Sequence, residues 1–171
     1  MEKIILVSLI TTLGPIEIKL FTEEAPETSQ NFIEYVESGF FDETIFHRVI
    51  PGFVIQGGGL ISGLERKETM APIQNEANNG VKNLQYTLSM ARTNDPHSAT
   101  SQFFINLQDN SSLDHSSETS MGWGYAVFGE VVNGTQTVEA IAKVETGNYE
   151  GHQDVPVEEI KIIKAEIMSD E

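Results

Sequence analysis

The sequence predicts a mainly β protein, a closed eight-stranded antiparallel barrel capped by two α-helices. Three observations predict it. Short apolar or alternating runs recur along the chain, at residues 4–9, 16–20, 53–56, 87–91, 103–106, 126–132 and 160–167. They are rich in Val, Ile, Phe and Tyr, with Gly, Asn, Asp and Pro between them, as strands separated by turns require. Only two segments carry helical periodicity. The strand pattern favours an antiparallel sandwich or barrel over a parallel α/β sheet, and two helices among some eight strands suit a closed barrel with a helix plugging each open end.

The elements follow in order. Residues 1–10 superficially resemble a signal peptide, but the charged region is weak and no small-x-small cleavage site precedes Gly14. The run from Ile16 to Leu20 then alternates as a half-buried strand does, so a β-hairpin is expected at the start. A first helix follows Pro26, with Phe32 and Val36 one turn apart and Gly39 placed to cap its end. Gly57, Gly58 and Gly59 suit a tight turn after a strand; a phosphate loop would need a following Gly-Lys-Ser/Thr. A second helix is expected over residues 135–143, with Val138, Ile141 and Ala142 on one face. The polar stretches 60–80 and 108–123 exceed hairpin loops and are candidates for binding surfaces. At 171 residues, the whole chain 1–171 is expected to form one domain.

Composition removes several functions. With 26 acids against ten lysines and arginines, the formal charge is −16, and such a surface repels phosphate backbones. No nucleic acid is therefore expected as a partner; the acidity serves solubility or a preference for basic clients. Nothing approaches the roughly 20 apolar residues of a membrane span, so no membrane partner is expected and the location expected is cytoplasmic. No cysteine is present, which excludes disulfides and thiolate sites. The histidines His47, His97, His115 and His152 lack ligand spacing, so no metal is expected. Ser101 lacks the glycines of a nucleophile elbow.

The informative segment is the run FHRVIPGFVIQGGG over residues 46–59. It sets Arg48 and Gln56 eight residues apart among large apolar side chains, where a guanidinium is costly unless partnered. Residues 101–106 repeat the theme of amide beside aromatic ring. Strand alternation sends Gln102, Phe104 and Asn106 to one face and Phe103 and Ile105 to the other. It likewise opposes Phe53 and Ile55 to Val54 and Gln56, if that run stays extended. Side by side, the two segments would make an apolar pocket with a few directed donors. Taken singly, the amides read as core-adjacent groups satisfied by backbone, and the rings read as core. Alternation does not say which face is the pocket.

Residues 46–58 resemble the signature of the cyclophilin family of peptidyl-prolyl cis/trans isomerases. Ala25-Pro26-Glu27-Thr28, Leu88-Ser89-Met90-Ala91-Arg92, Ser101-Gln102-Phe103-Phe104-Ile105 and residues 124–131 resemble further family motifs, in the same order, over about residues 3 to 167. Residues 75–80, Ala91-Arg92-Thr93, residues 96–99 and 122–125 are closer to the bacterial cytoplasmic branch. The resemblance implies the barrel fold and a prolyl isomerase that assists protein folding without a cofactor. It implies Arg48 and Gln56 as catalytic residues. Phe53, Val54, Phe104 and Leu113 would line a proline pocket, with Gln102 orienting the substrate. Ala91, Arg92 and Thr93 would run beside the bound peptide, and His47 and Tyr125 would complete the substrate site. Proline-containing peptides and folding protein clients are the implied partners. Val54, Arg92 and Tyr125 replace the methionine, asparagine and histidine of the best-known eukaryotic pattern. Ser112 stands where an aromatic ring associated with cyclosporin binding is common, so weak cyclosporin binding is expected. A non-catalytic proline-peptide module or chaperone is the alternative, and the retained Arg48 argues against it. Without an exposed helix or heptad that invites assembly, a monomer is expected.

Overall fold

The computed structural model describes residues 4–168. The ends of the expected 1–171 domain, and Lys3 at the start of the matched span, lie outside the described residues. The strands are β1 (Leu6–Thr11), β2 (Gly14–Leu20), β3 (Phe46–Ile50), β4 (Val54–Gly57), β5 (Leu60–Ile61), β6 (Glu65–Arg66), β7 (Thr87–Met90), β8 (Phe103–Asn106), β9 (Val127–Asn133), β10 (Thr146–Tyr149), β11 (His152–Pro156) and β12 (Ile162–Ile167). The helices are α1 (Pro26–Glu37) and α2 (Thr135–Ala142). Eight strands form one antiparallel sheet in the order β12-β1-β2-β9-β7-β8-β4-β3, and β5–β6 and β10–β11 are separate two-stranded ribbons.

The sheet curls into a half-barrel. Between its edge strands β3 and β12 no ladder runs; an isolated bridge at Ile45 and Lys161 and the bond from Phe46 N–H to the Ile160 carbonyl (2.9 Å) tie the two sides at one end. The closed barrel expected from the sequence is thus an open curled sheet with a pinned seam. Strand β3 was missing from the periodic runs because a bulge falls inside it: Phe46 pairs with Gly57 and Arg48 with Gln56, leaving His47 as the extra residue. The β10–β11 ribbon was also unforeseen, since its residues are mostly polar and half-exposed.

Inside the sheet the core is aromatic. Phe32 of α1 meets Phe41, Phe103 and Phe128 at ring-centroid distances of 5.0, 5.5 and 5.1 Å, which fastens the helix over one end. Its C-terminus closes as foreseen. Gly39 donates to the Val36 carbonyl and Phe40 to the Tyr35 carbonyl, the paired bonds of a Schellman cap. The N-terminus has no side-chain cap of its own. Glu76 supplies one from the long 60–80 loop, accepting from the Thr28 N–H (2.7 Å) and hydroxyl (2.6 Å). That bond pins the loop to the body. On α2, Val138 and Ile141 are fully buried in the core. No helix among the described residues is long and apolar enough to cross a membrane.

Candidate active site

Arg48 and Gln56 are direct cross-strand partners on β3 and β4, so their side chains share one face. Arg48 Nη1 donates to Gln56 Oε1 at 3.1 Å, and Gln56 Nε2 donates to Gln102 Oε1 at 3.0 Å. This relay fixes the Gln56 amide, since reversing it would set donor against donor. Gln102 lies flat across Gly59, where a Cβ would strike its Cγ, so the third glycine of the triplet makes room for the relay.

Beside the guanidinium opens a hollow of about 210 Å³, lined by Arg48, Phe53, Val54, Gln56, Ala91, Arg92, Phe104, Leu113 and Tyr125. Alternation places Phe104 and Val54 there, and Phe103 and Ile55 in the core. Phe53 joins the same wall because its run is not extended. Ile50 to Phe53 forms a turn, Phe53 N–H donating to the Ile50 carbonyl at 3.0 Å, with Pro51 second and Gly52 third at φ +75°. The turn swings Phe53 off the strand's pleat. Across the hollow, the Phe104 and Tyr125 rings meet edge to face at 5.6 Å, and Arg92 stacks on Tyr125 at 4.6 Å with Nε donating to the Gly124 carbonyl.

A second hollow of about 230 Å³ adjoins the first. It shares Gln56, Ala91 and Arg92 and adds Arg66, Thr93, Ser98, Thr100 and Gln102. The structure thus gathers the sequence-derived candidates around two connected depressions, with one exception. His47, the bulged residue, is only 7% exposed and lines neither. Its Nδ1 is buried without a partner. Burial first, then the charges of His152, Arg48 and Arg66, lower its pKa from 6.5 to about 4, so it is neutral at physiological pH. The bulge that aligns Arg48 with Gln56 takes His47 away from both hollows.

Sequence reasoning missed what holds the walls. Asn83, Asn106 and Asn110 form a buried amide network. Asn106 Nδ2 donates to Asn83 Oδ1 (3.1 Å), and Asn110 Nδ2 donates to Asn106 Oδ1 (2.8 Å) and the Phe53 carbonyl (3.0 Å). Asn83 also donates to the Leu113 carbonyl and Asp114. Amides were expected in loops and at the strand end, but their convergence depends on the long 108–123 loop folding back. Arg66 of the second hollow carried no motif to single it out. Among the described residues no group of three or more His, Cys, Asp or Glu is placed to hold a metal ion.

Residues 6–167 match the family described as cyclophilin type peptidyl-prolyl cis-trans isomerase/CLD. The chain is 57% identical over 162 residues to the peptidyl-prolyl cis-trans isomerase cyp18 of Streptomyces antibioticus, covering 95% of this chain and 98% of that one. It is 55% identical over 157 residues to peptidyl-prolyl cis-trans isomerase B of Escherichia coli K12, covering 92% and 96%. Among solved structures, a Cryptosporidium parvum cyclophilin-type isomerase crystallised in the presence of the dipeptide Ala-Pro superposes with a TM-score of 0.80 at 29% identity, over 96% of this chain and 99% of that one.

Proposed function

We propose that this chain, which belongs to the cyclophilin-type peptidyl-prolyl cis-trans isomerase family, turns Xaa–Pro bonds in the hollow lined by Arg48, Phe104 and Leu113. The activity is peptidyl-prolyl cis-trans isomerisation. Rotation about that bond breaks amide resonance against a barrier of about 18–20 kcal/mol, and uncatalysed exchange takes on the order of tens to hundreds of seconds. No covalent bond changes. The protein has only to hold the proline ring and favour the twisted amide over both planar forms.

Phe53, Val54, Phe104 and Leu113 supply the apolar grip, and Ala91, Arg92 and Thr93 an edge for the peptide. As the amide twists, the prolyl nitrogen becomes pyramidal and gains a lone pair. The Arg48 guanidinium donates to that nitrogen or to the substrate carbonyl more strongly than in the planar state, which is preferential transition-state binding. Gln56 holds the fork in place, Gln102 holds Gln56, and Tyr125 backs Phe104. We assign His47 no contact with substrate, since it lines neither hollow.

The observation that carries this reading is a guanidinium braced at 3.1 Å on the wall of a hollow whose apolar side is formed by Phe53, Val54, Phe104 and Leu113. Proline-containing peptides and folding protein clients in the cytoplasm are the substrates we infer, served by a monomer of one domain. The exposure of Ser112 beside Leu113 supports weak cyclosporin binding. Exchange spectroscopy on an Xaa-Pro peptide with substoichiometric protein tests the assignment. Accelerated cis–trans exchange that a Phe104→Ala variant loses is expected. Peptide binding without acceleration would make the hollow a non-catalytic module.

A further inference from the structure

The chain contains three arginines, and all three line the two connected hollows: Arg48 the first, Arg92 both and Arg66 the second. That placement is the reverse of what overall charge suggests. With 26 carboxylates against a net −16, each arginine has many potential acidic partners. Yet the ion pair found among the described residues joins Lys161 to Glu43, and no carboxylate lies within 4.0 Å of any arginine there. Hollows of about 280 and 450 Å³ elsewhere are lined by Glu150, Glu159, Glu145 and Glu158, with no lysine or arginine in their walls. The arginines, three of the ten basic side chains, are concentrated at this cleft.

The second hollow sets two of the arginines among neutral hydrogen-bonding groups. Arg92 donates from Nε to the Gly124 carbonyl (3.0 Å) and from Nη1 to the Thr93 carbonyl (2.8 Å), so it is fixed by neutral groups that leave its charge uncompensated. Arg66, exposed on the β5–β6 ribbon, lines the same hollow, with Glu65 and Lys67 on either side of it in the chain. Thr93, Ser98, Thr100 and Gln102 add hydroxyls and an amide between them.

We propose that this second hollow is an acid-selecting subsite, which takes a glutamate or aspartate side chain lying one to three residues from the substrate proline. The reach follows from shared walls: Gln56, Ala91 and Arg92 border both hollows, and extended chain advances about 3.3–3.6 Å per residue. Guanidinium forks suit carboxylates in both geometry and charge. The proposal rests on the isomerase assignment of the Arg48 hollow, and it reverses the preference for basic clients that the acidic surface suggests. The long-range field disfavours an acidic peptide, while the cleft favours one at contact. The two effects separate by salt, since exposed charges a Debye length apart are screened and a seated pair less so.

The test is kcat/KM for an Ala-rich single-proline peptide carrying Glu, Gln or Lys singly at each of three positions on either side of the proline. At one position or more, Glu is expected to exceed Gln by roughly three- to tenfold, with Lys lowest, from one or two exposed pairs. Arg66→Gln should shrink that ratio and Arg66→Glu should turn it toward Lys; a ratio is insensitive to a general loss of activity. Raising NaCl from about 0.01 to about 0.1 M should widen it, as the opposing long-range field is screened first, and about 1 M should then narrow it. Equal rates for Glu and Gln at every position, or a ratio unmoved by Arg66→Gln, overturn the subsite. Failure to accelerate the Gln peptides at all would instead overturn the isomerase assignment on which it rests.

Discussion

Replacing Gln56 by leucine keeps the size of the side chain and removes both ends of the relay. Arg48 Nη1 loses an acceptor at 3.1 Å, and Gln102 Oε1 loses a donor at 3.0 Å. A hydrogen bond to a charged group contributes about 1.5–3 kcal/mol net and a neutral one about 1 kcal/mol. All three side chains are half-buried, so water recovers part of both. The expected destabilisation is about 2 kcal/mol, a fall in Tm of about 4–8 °C for a chain of this length. Kinetics should suffer differently. An unbraced arginine regains much of about 2 kcal/mol of rotamer entropy, which must be lost again at each turnover. At about 1.4 kcal/mol per decade, kcat should drop roughly 10- to 30-fold. The apolar grip is untouched, so KM should move less than about threefold. Exchange spectroscopy at several peptide concentrations separates the two constants. A Gln56→Leu enzyme with kcat within about threefold of wild type, or one whose whole loss lies in KM, would refute the bracing role.

Three further outcomes follow from neighbouring geometry. Phe103→Ala should destabilise by about 3–5 kcal/mol, since that ring is fully buried against Phe32, Phe41 and Phe46, whereas Phe104→Ala should lose more activity than stability; urea melts and rates on both variants check the contrast. His47 has a folded pKa of about 4 against 6.5, so it contributes no pH dependence above about pH 7. Below that the unfolded chain takes up a proton the native one resists, and stability should fall by about 3 kcal/mol between pH 6.5 and 4; a His47→Phe variant followed by urea melts at each pH should lose that part of the slope. Ser112→Trp should raise cyclosporin affinity by tenfold or more, from about 1.5–3 kcal/mol of newly covered apolar surface, as read by titration calorimetry.

Much of the architecture was legible in the sequence because its cause is local. Period-two runs marked the core strands, Gly39 marked the end of α1, and alternation assigned Phe103 and Phe104 to opposite faces. What escaped notice depends on residues distant in sequence. The bulge at His47 broke the alternation that would have revealed β3, and only the paired strand shows it. Phe53 reached the wall through a turn, against the extended reading. The asparagine network and the Glu76 cap rest on long loops returning to the body, which no window of sequence encodes. Arg48, Gln56 and Gln102 were legible singly as polar groups in apolar company. Their order of donation required the fold.

The most direct measurement is the rate of cis–trans exchange in an Xaa-Pro peptide with wild type, Arg48→Ala and Arg48→Lys, alongside peptide affinity. If Arg48 prefers the twisted amide, Arg48→Ala should lose about 10²–10³-fold in kcat while binding changes only a few-fold. Lysine should recover little, because it lacks the planar fork that Gln56 braces. An Arg48→Ala enzyme that turns over near the wild-type rate, with peptide still bound in the hollow, would contradict the account.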